Sequence, residues 1–109
     1  MEAILVYITA GSAEEAERIA TTLLEQRLVA CVNTVHGVES RYWWHGALER
    51  AEESLLLAKT VRDCWPRLLA AVREIHSYEV FDAVAIPILE GEPAYLEWIR
   101  ESTAREAVC

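Results

Sequence analysis

Two apolar segments, one near each end of the chain, are hydrophobic on both faces of the strands that they predict. The first runs from Ala3 to Ala10 and the second from Ala83 to Leu89. Both are short and rich in β-branched residues, which is typical of a strand that is covered on both sides. The chain therefore needs a sheet whose two faces are both buried.

The segments between these two strands predict the order β-α-β-β-α-β, followed by a last helix. Ser12 caps the first helix, with Glu15 at its third position as in a capping box. The next predicted elements are two strands, over 29–44 with a bulge or bend at Gly37 and over 48–60, joined by the turn His45–Gly46. A helix over 63–75 follows, with Asp63 as N-cap and Pro66 in its first turn, and the last helix covers 94–102 and frays from Thr103 onward. This order predicts an α+β, ferredoxin-like βαββαβ domain with a four-stranded antiparallel sheet and a C-terminal helix.

Right-handed connections place both main helices on the same side of that sheet, so they cover only one of its faces. The other face keeps apolar side chains of the first and last strands and of the hairpin, which contains Tyr42, Trp43 and Trp44 in a row. Because large exposed apolar patches mark association surfaces, we predict burial against other copies in a closed homo-oligomer. Alternation along the strand turns Trp43 away from its neighbours, so at least one side of the hairpin should be buried by another subunit.

Composition and net charge limit the classes of protein to which the chain can belong. The chain has 109 residues, 53% of them hydrophobic and 26% charged, which is the balance of one globular domain. Its net charge of −8 repels nucleic acid and anionic membranes, and no apolar run approaches the length of a membrane span. The first residues lack the basic flank of a secretory signal, so we expect a cytoplasmic protein with neither nucleic acid nor membrane as a partner.

The spacing of the cysteines and the lack of catalytic motifs exclude further kinds of site. Cys31, Cys64 and Cys109 form an odd set without C-x-x-C spacing, which indicates neither a disulfide framework nor a zinc ribbon and makes reduced thiols the expectation. The sequence contains no catalytic triad order, H-E-x-x-H motif, phosphate loop or nucleophile elbow. We therefore predict that the protein is not an enzyme.

Five separated motifs carry a resemblance that spans nearly the whole chain: Leu28–Asn33, Tyr42–Leu48, Lys59–Thr60, His76–Val80 and Gly91–Trp98. In order and spacing they resemble the CutA family of divalent-cation tolerance proteins. The resemblance implies a single CutA-like domain over residues 1–109, assembled as a homotrimer around a three-fold axis. It also implies a role in tolerance of copper and other divalent cations, with no required cofactor and no catalytic activity.

The resemblance places family metal sites on Cys31 and His76. A thiolate and an imidazole are ligands that copper and zinc prefer, and Glu79 or Asp82 of the same turn would add an oxygen ligand. Two other interpretations stay open, Cys31 as a small buried strand residue and His76 as a cap of the preceding helix. The turn departs from the family at Ser77 and Phe81, where prolines are usual, and it should be less constrained for that reason. Ala47 likewise replaces the usual lysine of the hairpin turn.

Trp44, Lys59 and Tyr78 are candidates for lining a cleft between subunits. The two aromatic residues either line it or seal it, and Lys59 either binds an anion or pairs with a glutamate. The main hypothesis is a cytoplasmic trimer that acts in tolerance of copper and other divalent cations by binding the metal ion. The alternative is a trimeric signalling or sensor protein that binds a small anionic ligand or a partner protein in these clefts.

Overall fold

Four antiparallel strands and three helices make up the fold, in the predicted order. The computed structural model describes residues 2–103. The strands are β1 (Ala3–Ala10), β2 (Cys31–Trp44), β3 (Ala47–Val61) and β4 (Ala83–Pro87), and the helices are α1 (Ala13–Glu25), α2 (Trp65–Ile75) and α3 (Pro93–Thr103). The strands lie in the order β2-β3-β1-β4, and every pair is antiparallel. The predicted α+β fold with a four-stranded antiparallel sheet is confirmed.

The β2–β3 hairpin extends beyond the rest of the sheet. Its register shifts between Val35 and Val38, and Gly37 within that shift has a φ of 74°, so of the two predicted alternatives at Gly37 the bulge is the one that forms. At the tip, His45 and Gly46 both have positive φ, 52° and 80°. Positive φ at both central residues is the requirement of a type I′ turn, whose twist matches that of the strands.

The main core lies between one face of the sheet and the helices α1 and α2. Inward-facing residues of β1 and β3 meet the apolar stripes of both helices there, in a cluster that includes Val6, Ile8, Ala16, Ile19, Leu23, Leu56, Leu68 and Val72. A smaller cluster, at the end of the sheet where β1 begins, holds Ile99 of α3 against Ala3 and Val61. Both main helices therefore cover the same face, as predicted.

The opposite face, here called the open face, carries the alternate residues of the strands, among them Leu5, Tyr7, Leu55, Leu57, Val84 and Ile86. These side chains are much less covered within one chain. Tyr7 is 36% exposed, Val84 48% and Ile86 43%, although all three lie on central parts of their strands. The sequence pattern predicts burial of both faces of the sheet. Within one chain, only the face under α1 and α2 is buried.

Two predicted boundaries are wrong by a few residues. A 3₁₀ turn over Arg62–Cys64 precedes α2, whose first turn has no side-chain cap, so Asp63 is not its N-cap. The strand β4 ends at Pro87 rather than Leu89, although the Ile88 N–H still donates to the Ala3 carbonyl at 3.2 Å. Pro87 has no N–H and sits in an edge strand, where its missing donor removes no ladder bond.

One expectation about a side chain near the C-terminus is also corrected. Thr103 does not fray: it is the last residue of α3, it is buried, and its hydroxyl donates to the Ile99 carbonyl at 2.8 Å. Of the cysteines expected to be reduced thiols, Cys31 is free and Cys64 is fully buried. Cys109 lies outside the described residues. Across residues 2–103, none of the helices is both long enough and apolar enough to traverse a membrane.

Candidate functional site

His76 follows the last residue of α2 and is buried against the end of β1. Its Nε2 lies 2.8 Å from the carbonyl oxygen of Thr9, and its Nδ1 lies 3.0 Å from the backbone nitrogen of Tyr78. A carbonyl oxygen only accepts and a backbone N–H only donates, so the ring is the neutral tautomer protonated at Nε2. Both ring nitrogens are therefore engaged within the chain, and His76 closes the helix end as the second interpretation anticipated.

Glu15 fixes the turn that follows His76. Its buried carboxylate accepts from the Ser77 N–H at 2.6 Å, the Ser77 hydroxyl at 2.9 Å and the Gly11 N–H at 3.1 Å. Burial alone raises the pKa of Glu15, but the hydrogen bonds from Ser77 and Gly11 outweigh it, so the net pKa lies below its ordinary value. The expected capping box forms only in part: Ser12 accepts from the Glu15 N–H, while the Glu15 side chain reaches Gly11 and Ser77 instead of Ser12.

The two residues that stand in place of family prolines both make contacts that hold the turn. A proline at position 77 would have no N–H to donate to Glu15, whereas Ser77 donates twice. The Phe81 ring stacks on His76, with centroids 5.0 Å apart and planes at 14°, and Arg73 lies over the Phe81 ring. These hydrogen bonds and the ring stacking constrain the turn, although the loss of two prolines had predicted a less constrained one.

Tyr78 links this turn to the hairpin. Its hydroxyl donates to Glu53 at 2.7 Å, and burial together with this carboxylate raises the pKa of Tyr78. The ring lies against Gly11, where an added Cβ would come within 3.1 Å of the Tyr78 hydroxyl. Asp82 completes the arrangement by accepting from the Thr9 N–H and hydroxyl at 2.8 and 2.7 Å. We call these residues the turn network: Thr9, Glu15, Glu53, His76, Ser77, Tyr78 and Asp82.

Glu79 lies in the same turn but outside this network. It is exposed, and within residues 2–103 it makes neither a hydrogen bond nor an ion pair. Its carboxylate is free to bind a cation, but it does not share one with His76, whose ring nitrogens are both engaged.

Cys31 lies at the other end of the sheet, at the start of β2. Its Sγ is 3.8 Å from the hydroxyl of Tyr95 in α3, and the thiol is free and only partly buried. Lys59 pairs with Cys31 across β2 and β3, and its ammonium donates to the side-chain oxygen of Asn33 rather than to a glutamate. Burial and the neighbouring Cys31 raise the pKa of Tyr95. We call Cys31, Asn33, Lys59 and Tyr95 the thiol cluster.

The structure separates Cys31 and His76 within one chain. Strand pairing aligns Cys31 with Lys59 and then with Leu5, whereas His76 contacts Thr9, four residues further along β1. Four residues along a strand and two spacings between strands place the backbones of Cys31 and Thr9 roughly 16 Å apart. Nowhere in the part of the chain described do three His, Cys, Asp or Glu side chains converge as a metal site. One chain alone therefore does not assemble the predicted set of Cys31, His76 and Glu79.

The three candidate cleft residues are also divided between the two ends. Trp44 and Tyr78 line one cavity of about 780 Å³, between the arm of the hairpin and the turn over residues 78–82. Lys59 does not line that cavity, because it belongs to the thiol cluster. A single chain therefore places the two aromatic candidates together and the cationic one elsewhere.

Sequence reasoning missed the two buried glutamates that organise this region. A signal for Glu15 was present, because a capping-box glutamate four residues after a glycine predicts a carboxylate close to free backbone donors. Glu53 gave no such signal, since it is one of several charged residues in the hairpin and differs from them only in its burial.

Comparison with known proteins identifies the family. Residues 4–102 match the family model described as CutA1 divalent ion tolerance protein. This chain belongs to the CutA family. It is 46% identical over 99 residues to the divalent-cation tolerance protein CutA of Thermus thermophilus, a match that covers 91% of this chain and 96% of that protein.

Solved structures of CutA proteins share the fold throughout. Rice CutA1 superimposes with a TM-score of 0.93 at 40% identity, covering 97% of this chain and 96% of the rice chain. The Archaeoglobus fulgidus protein, described as a periplasmic divalent cation tolerance protein CutA, gives a TM-score of 0.90 at 42% identity and covers 93% of this chain and 98% of its own. The role of the family in divalent-cation tolerance therefore extends to this chain.

Proposed function

We propose that this chain is a subunit of a cytoplasmic homotrimer that acts in tolerance of divalent cations without catalysis, and that it binds copper through Cys31. The observation that carries the proposal is the partly exposed, free thiol of Cys31 in a protein of the CutA family. Copper prefers soft thiolate and imidazole ligands, and the described residues offer few such groups that are both accessible and uncommitted.

The open face supports assembly into trimers. Apolar side chains of β1 and β4 are between 36% and 48% exposed there, as at Tyr7, Val84 and Ile86. A contiguous apolar surface of this kind in a soluble chain favours association, and a closed ring of identical subunits buries the same face in every copy. Sedimentation equilibrium at micromolar concentration should give the mass of a trimer, and a compact monomer would refute the assembly.

Copper binding is assigned to the thiol cluster and not to the turn network. Both nitrogens of His76 are committed to Thr9 and Tyr78, so a metal ion at His76 would have to break a buried hydrogen bond. The thiol of Cys31 makes only a long contact to Tyr95 and can exchange it for a metal bond. Because one chain supplies too few ligands around Cys31, the remaining ligands would come from another copy.

The cytoplasmic assignment has support from one cysteine. A free thiol at Cys31 suits a reducing compartment. Fractionation of cells that express the full chain should place it with cytosolic markers. Recovery with periplasmic markers would overturn this part of the proposal and align the chain with the description of the Archaeoglobus fulgidus relative.

A copper titration of three proteins tests the metal assignment. Wild type and His76→Ala, if folded and trimeric, should bind copper alike, whereas Cys31→Ser should bind at least about tenfold more weakly, since it loses the soft ligand. Each protein is checked by sedimentation before titration. Copper binding by Cys31→Ser at wild-type strength would place the ligands elsewhere, with the exposed carboxylates as the next candidates.

The alternative of a small anionic ligand in the cleft of Trp44 and Tyr78 is less well supported. Glu53, Glu79 and Asp82 line the same cavity, and they would repel an anion. Lys59, the cation that the alternative needs, lies in the thiol cluster instead.

A further inference from the structure

A cavity of about 570 Å³ lies between the helices α1 and α2, and we call it the interhelical cavity. Its volume is within the range of sites for small organic ligands. The helices contact the sheet with other residues, such as Leu23 and Val72, which are fully buried. Because α1 and α2 cover the face opposite the open face, an assembly that buries the open face and the hairpin leaves the interhelical cavity accessible.

Two charged side chains of α2, Arg67 and Glu74, line this cavity. They are seven residues apart in the sequence, which places their Cα atoms about 10 Å apart on the same flank of the helix. Ala70 and Ala71 occupy the positions three and four residues from each of them, so only methyl groups lie between the two charges. Gln26 of α1 lines the cavity across from this flank. The cavity therefore has an apolar floor with a cation at one end and an anion at the other.

Neither charge is balanced within the chain. Among residues 2–103, Arg67 and Glu74 make no ion pair, and Asp63, one turn before Arg67, is not within ion-pair distance of it. Arg67 lies near the N-terminus of α2 and Glu74 near its C-terminus, which is the reverse of the arrangement that the helix dipole favours. The stability of α2 therefore does not account for this pair of charges.

The two ends of the cavity differ in charge beyond these two residues. A second cavity, of about 460 Å³, adjoins the Glu74 end and shares Thr22 and Ile75 with the first. Its charged lining residues carry a net negative charge, and they are Glu14, Glu17 and Arg18. At the other end, Arg67 is the one cation among the described residues of the wall, and the Gln26 amide can donate a hydrogen bond. One end therefore attracts a cation and the other attracts an anion.

A ligand with one charge of each sign fits this arrangement. Its carboxylate would accept hydrogen bonds from the Arg67 guanidinium and the Gln26 amide, and its ammonium would pair with Glu74. Both groups would also lie at the ends of the α2 dipole that favour them. We propose that the interhelical cavity binds a small ω-amino carboxylate whose methylene chain lies over Ala70 and Ala71.

The proposal goes beyond the role in cation tolerance and depends on neither Cys31 nor a metal ion. It is tested on the full chain by titration with ε-aminocaproate, caproate and hexylamine, with binding read from backbone amide chemical shifts. The two single-charge probes should bind about three- to fivefold more weakly than ε-aminocaproate, because each loses one partly exposed ion pair. If either single-charge probe binds as tightly as ε-aminocaproate, or if no probe binds, the proposal is overturned.

Matched variants locate each charge. Arg67→Gln should bind ε-aminocaproate about three- to fivefold more weakly and no longer distinguish it from hexylamine, and Glu74→Gln should no longer distinguish it from caproate. Arg73→Gln and Glu25→Gln remove the same charges from residues of α2 and α1 outside the cavity wall, so both should bind as wild type does. Wild-type discrimination in either cavity variant, or an equal loss in the two controls, would refute the site.

The same pair of charges occurs in a free ω-amino acid and in the C-terminal lysine of a peptide. The tripeptide Gly-Gly-Lys and its C-terminal amide separate these two sources. Tighter binding of the free-acid peptide than of ε-aminocaproate, with a loss of about three- to fivefold in the amide, would assign the cavity to a peptide end. Tighter binding of ε-aminocaproate would assign it to a free small molecule.

Sedimentation and copper titration of the same samples separate this inference from the proposed function. A trimer that binds copper through Cys31 but does not distinguish the three probes refutes the inference alone. A chain that distinguishes the probes but does not bind copper supports the inference and refutes the metal assignment.

Discussion

The two ends of the sheet both hold side chains of types that can bind a ligand, but in opposite states. In the turn network, His76 and Glu15 are buried, and their polar atoms make short hydrogen bonds to backbone and hydroxyl groups. In the thiol cluster, Cys31 is partly exposed and its Sγ makes only a contact of 3.8 Å to Tyr95. Buried polar atoms that are fully paired stabilise a fold, whereas an accessible and weakly paired atom can bind something else.

This difference separates residues whose polar atoms stabilise the fold from residues whose polar atoms can bind a ligand. An imidazole on a turn at a sheet edge has the residue type and position of a metal ligand, yet its partners in β1 and in the turn engage both nitrogens. The thiol in a strand has the position of a buried packing residue, yet it remains accessible. Removing members of the turn network should therefore act on stability, and removing members of the thiol cluster should act on binding.

The largest expected effect is that of His76→Ala. The free energy of unfolding should fall by about 3–4 kcal/mol, because the variant loses a stacked ring and leaves the Thr9 carbonyl and Tyr78 N–H without partners. Cys31→Ser should lower it by about 1 kcal/mol or less. Urea unfolding at matched protein concentration measures both, and equal losses in the two variants would remove the distinction between the two ends.

A smaller effect with a defined pH dependence is expected for Glu15→Gln. The pKa of Glu15 is lower in the folded protein than in the unfolded chain, so its carboxylate stabilises the fold above the unfolded pKa of about 4.3, and the gain is lost as pH falls through the lower folded value. The variant should be about 2–3 kcal/mol less stable at neutral pH, and the difference should shrink in acid. Glu14→Gln, at an exposed neighbour, is the control; a pH-independent difference for Glu15→Gln would show that the carboxylate charge is not what stabilises the turn.

The smallest expected effect compares one tyrosine from each end. Tyr78→Phe removes a 2.7 Å hydrogen bond to the buried Glu53 and should lower the free energy of unfolding by about 1–2 kcal/mol. Tyr95→Phe removes only the long contact to Cys31 from a half-exposed ring, and should change it by less than about 0.5 kcal/mol. Thermal unfolding of both variants tests the comparison. A larger loss of stability for Tyr95→Phe than for Tyr78→Phe would mean that the thiol cluster stabilises the fold.

Local sequence patterns were sufficient to predict most of the fold. Strand β1 has its predicted bounds, the bulge forms at Gly37, and the hairpin turns at His45–Gly46, because each of these depends on neighbouring residues and on the conformations that they favour. Asp63 shows the limit of this reasoning. It has the residue type of an N-cap, but the chain leaves β3 through a 3₁₀ turn and enters α2 without a side-chain cap.

Residue patterns alone are enough to predict the order of the elements, the face that the helices cover, the family and the residue types that could bind a ligand. Which of those residues are accessible depends on contacts that form only when the chain folds. Thr9 lies 67 residues from His76, and Glu53 lies 25 residues from Tyr78, so no local pattern specifies either hydrogen bond. Periodicity reports which face of a strand a residue occupies, whereas pairing and burial depend on what the rest of the chain brings to that face.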